Sequence, residues 1–457
     1  MQKEITKKRS FWLALGFALA AFYVCAALLE GYRLYPDSQS YLDMDLSREP
    51  LYSLFLALMR LLFGRGGEPF FLRSTVIVQS LITAWAGWYF VRRCQELFDL
   101  RLPGTLGLAG CTLLPSLLSR FFAVRRAMYS YSLITESLGF PLYLVFFTFL
   151  AAWVLRGRRR DFALAALLAF LLISLRKQMY VTLPLLLLGA LWRGVRHGKL
   201  LRRLAAGVLA AVLVLLANSL LDRGTNYLVH GEALRHTGDM RFVTTMLLYT
   251  AEPEDAAAIG DAELRGIFDE ILEKADREQL TRRDAPADWF GRSLFFMNHY
   301  DLIQFGCLGD TIQPLAEQKY GADTNAIQLE RDRIYDGLNA SLLPVGWTRL
   351  LGTAADSFGM GLVNTAAAMK RPLIPVTALL YLALLVLLGL CIRKKREDEA
   401  VFAAFALLSI LGNVALVSLT IFCQPRYTLY NMPLFYASLL VLLAALLPKK
   451  ETKDRLP

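Results

Sequence analysis

Apolar residues in this chain come in long runs separated by short charged stretches. Ten runs approach the length of about 20 residues that a helix needs to cross the hydrocarbon core of a bilayer. They are 11–29, 71–91, 103–119, 132–155, 162–175, 178–192, 204–221, 373–392, 401–422 and 428–447. The first runs on into Glu30-Gly31-Tyr32-Arg33 with no small-residue cleavage site, so it reads as a retained span rather than a signal peptide. The pair at 162–175 and 178–192 is the shortest. Read as one helix it would carry Arg176 and Lys177 near mid-membrane, at about 2.5–3.5 kcal/mol each. Two short helices that turn at Arg176-Lys177 avoid this cost. Leu51–Gly64 is apolar too, but it spans only 14 residues, follows Pro50 and contains Arg60. It reads as an amphipathic helix at the outer interface.

Composition agrees with a bilayer as the solvent. Hydrophobic residues make up 56% of the 457 residues and charged residues 19%. A soluble protein with so little polar surface would expose large apolar patches. Disorder, a collagen repeat and a disulfide scaffold are excluded on the same grounds. Five of the six cysteines lie in or beside apolar runs, and the four histidines lack zinc-type spacing. The net charge of +11 is uneven: residues 222–371 hold 15 Lys+Arg and 23 Asp+Glu, so all of the excess lies elsewhere, at the ends of apolar runs. That is the pattern of membrane topology rather than of a nucleic-acid groove. Positive-inside counting puts both termini in the cytoplasm.

The expected fold is therefore an all-α polytopic membrane protein with about ten transmembrane helices. It divides into a seven-span module at 1–221, an extracytoplasmic, mainly helical domain at 222–371, and a three-span module at 372–457. The first external loop covers 30–70. No internal repeat or low-complexity tract is visible.

Candidate chemistry gathers on the outer side. Asp37 follows the first span in Tyr35-Pro36-Asp37-Ser38, where Pro36 starts a turn or short helix. It reads equally as an N-cap and as a carboxylate base for a hydroxyl near the membrane surface. Asp43, Asp45 and Glu49 are close enough to be rivals or metal partners. The outer loops carry Arg48, Arg120, Arg125, Arg126, Arg176, Lys177 and Arg426, nearly all arginine. The planar guanidinium suits phosphate oxygens at a low-dielectric boundary, although each one alone reads as a snorkelling anchor. Glu136, inside the outer end of the fourth run, is expected to have a partner or a role. Asn298-His299-Tyr300-Asp301 is polar and aromatic enough for sugar contacts, but reads as ordinary surface.

Together these pieces resemble the GT-C superfamily of polytopic glycosyltransferases, such as protein O-mannosyltransferases and bacterial aminoarabinose transferases. The likeness rests on Pro36-Asp37-Ser38-Gln39-Ser40-Tyr41, on Arg48-Glu49-Pro50-Leu51-Tyr52, on Thr135-Glu136-Ser137-Leu138, on Arg176 and on Arg426-Tyr427, and it covers roughly residues 10–220 best. The tandem Asp-Glu of several members is absent, since Ser38 follows Asp37. The resemblance implies an inverting transfer from a polyprenyl-phosphate-linked sugar to a hydroxyl of a glycan, lipid or protein acceptor. It would take place on the outer face of a bacterial cell membrane. Asp37 would be the general base. Arg48, Tyr52, Arg125, Arg126, Glu136, Arg176, Lys177, Arg426 and Tyr427 would line the donor site. Some relatives use a divalent metal (Mg or Mn) and others do not. The competing readings are a transporter or lipid flippase, a non-catalytic scaffold, and another membrane transferase acting on lipid-linked glycans.

Overall fold

The computed structural model describes residues 5, 6, 8–122 and 126–448. Among them the chain is helical with no strand; a single bridge pairs Arg33 with Ser132. Among the described residues, eight segments are long and apolar enough to cross a membrane: Arg9–Glu30, Glu68–Phe98, Leu102–Phe121, Glu136–Arg156, Lys177–His197, Leu200–His230, Arg371–Arg393 and Glu397–Thr420. They fall on eight of the ten apolar runs. The other two runs form shorter helices, Arg159–Leu175 with 17 residues and Met432–Leu446 with 15. At 1.5 Å per residue these reach roughly 26 and 23 Å.

In chain order, α1 (Arg9–Glu30) leads to a short α2 (Ser38–Leu42) and then α3 (Pro50–Phe63). Next come α4 (Glu68–Phe98), α5 (Leu102–Phe122), α6 (Glu136–Arg156), α7 (Arg159–Leu175), α8 (Thr182–His197) and α9 (Leu200–His230). The segment that follows holds α10 (Met240–Tyr249), α11 (Ala262–Arg277), α12 (Trp289–Asp301), α13 (Asp310–Tyr320) and α14 (Thr324–Ala366). The chain ends in α15 (Ile374–Arg393), α16 (Glu397–Thr420), the single turn α17 (Pro425–Thr428) and α18 (Met432–Leu446).

α3 starts at Pro50, whose missing N–H costs nothing at a first helical position. It buries Tyr52, Ser53, Leu56 and Met59 and exposes Leu58, Leu61 and Leu62. α7 stops at Leu175, because Arg176 is extended and a tight turn over Lys177–Val181 follows. The fourth apolar run starts later than its hydropathy indicates. Ser132 and Leu133 are extended beside Arg33, so Glu136 opens α6 instead of lying inside it.

The bundle is sequential at first: α1 packs on α4, α4 on α6, α6 on α7, and α8 on α9. It is closed by the C-terminal helices, since α18 packs on α5, α15 and α16. The main apolar core runs through α4, α6, α7, α8, α16 and α18. Outward rows such as Leu209, Leu213, Leu216 and Leu220 on α9 are more than half exposed, which suits a helix face bathed by lipid chains. At the end of the bundle that carries the 156–160 and 393–396 stretches, Arg156 pairs with Asp398 at 2.7 Å and Arg196 with Glu397. The ends of α1 and α7 and the start of α6 meet at the other end.

No flexible linker marks the borders of 222–371. α9 runs without a break through residue 221 to His230, and 31 residues at 1.5 Å make it roughly 46 Å long, more than a bilayer core. α14 has 43 residues, and its last turns, from Ser357 to Ala366, are buried against α16. There Asn364 donates to the Cys423 carbonyl at 2.7 Å. Between these two long helices lies a separate apolar core that includes Phe268, Ile271, Phe296, Tyr300, Leu308 and Leu338.

Candidate functional site

Asp37 occupies the N-cap position of α2 but does not cap it. Its backbone is already helical (φ −75°, ψ −15°) and its side chain bonds to no helix N–H. The α2 turn is pinned instead by Ser38, whose hydroxyl donates to the Leu133 carbonyl at 2.6 Å and accepts from Tyr35 N–H at 2.7 Å. The Asp37 carboxylate is left free to turn toward two arginines. Arg48 Nη2 donates to Oδ1 at 2.8 Å, and Arg426 Nη1 lies 3.6 Å from Oδ2. The Asp37 side chain is 32% exposed, so a substrate can reach it. Burial raises its pKa, but the charges of Arg48 and Arg426 outweigh this and hold the carboxyl below its ordinary value.

Arg48 is fixed from several sides. Its Nε donates to Ser40 Oγ at 2.7 Å, and its guanidinium lies 4.7 Å from the centre of the Tyr41 ring. Tyr41 rests edge-on against Tyr52, with ring centres 5.2 Å apart. Burial pushes the Tyr41 phenol up to about 12, so it stays neutral beneath the cation.

The second carboxylate, Glu136, is 2% exposed and forms an ion pair with Arg176. Arg176 also donates to Thr135 Oγ1 at 3.3 Å and stands over the Tyr427 ring at 4.7 Å. Arg426 sits between the two acids. Its Nε is 3.7 Å from Glu136 Oε1, its Nη2 donates to Tyr427 Oη at 2.8 Å, and its Nε has no hydrogen-bond partner. Three arginines thus face two carboxylates, and Arg426 saturates neither acid. An anion arriving here meets one uncompensated positive charge and a guanidinium with a donor to spare.

The structure brings together Asp37, Arg48, Glu136, Arg176, Arg426 and Tyr427. The other expected residues lie elsewhere. Tyr52 is fully buried and its hydroxyl accepts from Gln79 Nε2 at 2.8 Å, so it supports Tyr41 from below and faces no substrate. Lys177 is already neutralised: its ammonium pairs with Asp239, and its backbone N–H donates to Glu49 Oε1 at 3.2 Å. Arg126 is exposed and, among the described residues, bonds to none of the group. Arg125 lies outside the described residues. Arg120 pairs with Glu30 at 2.6 Å and anchors the ends of α1 and α5. Tyr300 is buried in the core of the 222–371 segment against Phe422, with ring centres 4.7 Å apart, and is no surface residue.

Asp37's possible metal partners are otherwise engaged. Asp43 accepts from Gln39 at 2.8 Å, and Asp45 accepts from Ser47 and Gln328. No group of three His, Cys, Asp or Glu suited to a metal occurs among the described residues. Both Asp37 oxygens face guanidinium groups, so this donor set does not fit a resident Mg or Mn ion.

Three neighbours escaped sequence reasoning. Tyr430 lies one helical turn after Tyr427, and its spacing in Arg426-Tyr427-Thr428-Leu429-Tyr430 was the available signal. Gln178 Nε2 donates to the Tyr427 carbonyl at 2.6 Å and to Asn413 Oδ1 at 2.8 Å, fastening the turn that carries Arg426. Arg241, from the 222–371 segment, acts on Asp37 through its charge, and nothing in its local sequence announces it.

Comparison with protein-family models, with curated proteins and with solved structures finds no match for this chain.

Proposed function

We propose that this chain is a membrane glycosyltransferase of the GT-C kind, moving a sugar from a polyprenyl-phosphate-linked donor to an acceptor hydroxyl on the extracytoplasmic face. In this reading ten helices cross the membrane, both termini are cytoplasmic, and the 222–371 segment stands outside. The observation that carries the reading is the Asp37 carboxylate: it sits at a helix start without capping it, accessible, and faced by arginines in excess of acids.

The chemistry follows from that arrangement. The acceptor oxygen attacks the anomeric carbon from the face opposite the phosphate, and the C–O bond to phosphate breaks, inverting the centre. The hydroxyl proton passes to Asp37, and the bonding electron pair leaves with the polyprenyl phosphate. Arg426 and Arg176 hold that growing negative charge. As Arg426 swings toward phosphate, Asp37 loses part of the field that depresses its pKa, and its basicity rises when it is needed. A phosphate leaving group needs charge stabilisation more than protonation, so one base and several cations suffice.

The test is turnover by the purified protein of a panel of polyprenyl-phosphate and polyprenyl-diphosphate sugars, wild type beside Asp37→Asn. Consumption of a donor that vanishes in the variant supports the reading. Equal consumption by both proteins removes Asp37 from the mechanism.

A further inference from the structure

The outer segment does more than stand above the site; it grips the loop that carries Arg48. His230 Nε2 lies 2.9 Å from the Met44 carbonyl, Thr237 N–H donates to the Leu46 carbonyl at 3.0 Å, and Gln328 Nε2 donates to Asp45 Oδ2 at 3.1 Å. Thr237 Oγ1 in turn donates to Gln328 Oε1 at 2.9 Å. Gly238, at φ +85°, threads between the loop and α10. A Cβ there would stand 3.6 Å from Ser47 Cβ and 3.9 Å from the Arg241 guanidinium. Arg241 is therefore delivered to the Ser47-Arg48 corner by a turn that only glycine makes without strain.

Arg241 and Arg331 are both partly buried, and neither forms a salt bridge among the described residues. The Nε of each is buried without a hydrogen-bond partner. Arg331 lies one turn beyond Gln328 on α14, on the face that meets the 45–48 loop, and donates to Tyr335 Oη at 3.5 Å. The acid next to it, Asp332, is committed to the Gly238 N–H at 2.8 Å. Burial, and then the like charges of Arg48 and Arg331, push the Arg241 pKa below that of an ordinary arginine. Its charge is also felt at Asp37. Burying Arg241 and Arg331 without a salt-bridge partner for either is costly, and an anion relieves the cost. Planar guanidinium forks suit phosphate oxygens.

We propose that Arg241 and Arg331 form, beside Arg48, a second phosphate-binding subsite, roofed by the outer segment and separate from the Glu136–Arg176–Arg426 group. This rests on the transferase reading only for its meaning: the phosphate belongs either to a diphosphate donor or to a phosphate-bearing acceptor. The subsite makes the 222–371 segment part of substrate binding.

The test uses the full chain in nanodiscs and inorganic pyrophosphate as the probe. Arginines are modified with phenylglyoxal and the modified sites are read by mass spectrometry. Pyrophosphate is expected to protect Arg241 and Arg331 in the wild type at least threefold. Protection of Arg426 without protection of Arg241 and Arg331 overturns the proposal, as does no protection anywhere. The doubly substituted Arg241→Gln/Arg331→Gln protein is expected to bind pyrophosphate at least tenfold more weakly, and unchanged affinity also overturns it. Titration with polyprenyl diphosphate and monophosphate then separates the two sources. A loss confined to the diphosphate assigns the subsite to the donor; unchanged affinity for both lipids, with pyrophosphate binding lost, assigns it to the acceptor. None of these readouts needs turnover, so an absence of donor consumption by the wild type would sink the transferase reading and leave this result standing.

Discussion

Asp37 and Arg426 come from opposite ends of the chain, yet the carboxylate Oδ2 lies 3.6 Å from the guanidinium Nη1. The distance is too long for a hydrogen bond and short enough for a strong Coulomb attraction. It exists because α18 closes the bundle against α5 and brings the 421–427 turn back to the loop after α1. Arg48 holds the other oxygen at 2.8 Å. Asp37 is thereby kept ionised by one firm partner and one loose one, and in the proposed reaction the loose partner is the one free to turn to phosphate.

Replacing Asp37 by Asn keeps the size of the side chain and removes the proton acceptor. Loss of a general base costs about 10²–10⁴ in rate. Transfer by Asp37→Asn is expected to fall by at least about a hundredfold, with the thermal midpoint close to that of wild type. Initial rates and a melting curve on the same preparation check both halves. A variant that unfolds, or one that turns over normally, contradicts the assignment.

The two arginines that meet Glu136 separate structure from binding. Arg176→Gln leaves a carboxylate that is 2% exposed without its ion-pair partner, and breaking a buried pair in this way costs about 3–5 kcal/mol. The double variant Glu136→Gln/Arg176→Gln removes both charges and is expected to recover most of that loss. Arg426→Gln, whose guanidinium saturates neither acid, is expected to leave stability nearly intact and to weaken donor binding at least tenfold. Thermal midpoints and donor titrations of the three proteins distinguish the two roles.

Much of this was legible in the run pattern because the bilayer imposes it. Apolar length located the eight long helices, and the cost of Arg176 at mid-membrane located the turn after α7. Position at the ends of apolar runs also marked Asp37, Glu136, Arg176 and Arg426, which the fold brings together. Long-range packing was not legible. Tyr52 matched a motif spacing, but α3 turns it inward against Gln79. Lys177 looked like a phosphate ligand, but Asp239, far along the chain in the 222–371 segment, neutralises it. The border drawn at residue 222 followed a drop in hydropathy, whereas helix α9 continues for two more turns because its backbone hydrogen bonds do not depend on the solvent outside.

Arg48 gives the site a pH signature. Burial raises the Asp37 pKa and Arg48 is the foremost of the charges that lower it. The base works when ionised, so activity is present above the folded-state pKa and is lost as pH falls through it. With Arg48→Gln the burial effect remains and the main opposing charge is gone, so the pKa rises and the acidic limb moves to higher pH. Rates of each protein at pH 5 relative to its own rate at pH 7.5 are expected to show the larger drop in the variant. Coincident profiles would show that Arg48 does not set the charge state of the base.

The sidedness of the chain is open to a direct chemical test. Glu254 is exposed in the 222–371 segment, and Arg158 is exposed between α6 and α7 at the opposite end of the bundle. Five native cysteines are buried and Cys25 is exposed on the apolar surface of α1, so a Cys25→Ser background should give little signal with a membrane-impermeant maleimide. In intact cells Glu254→Cys is expected to label and Arg158→Cys to stay silent until the membrane is opened. The reverse pattern would put Asp37 and its arginines on the cytoplasmic face, where a lipid-linked donor presented outside could not reach them, and the transferase reading would fall with the topology.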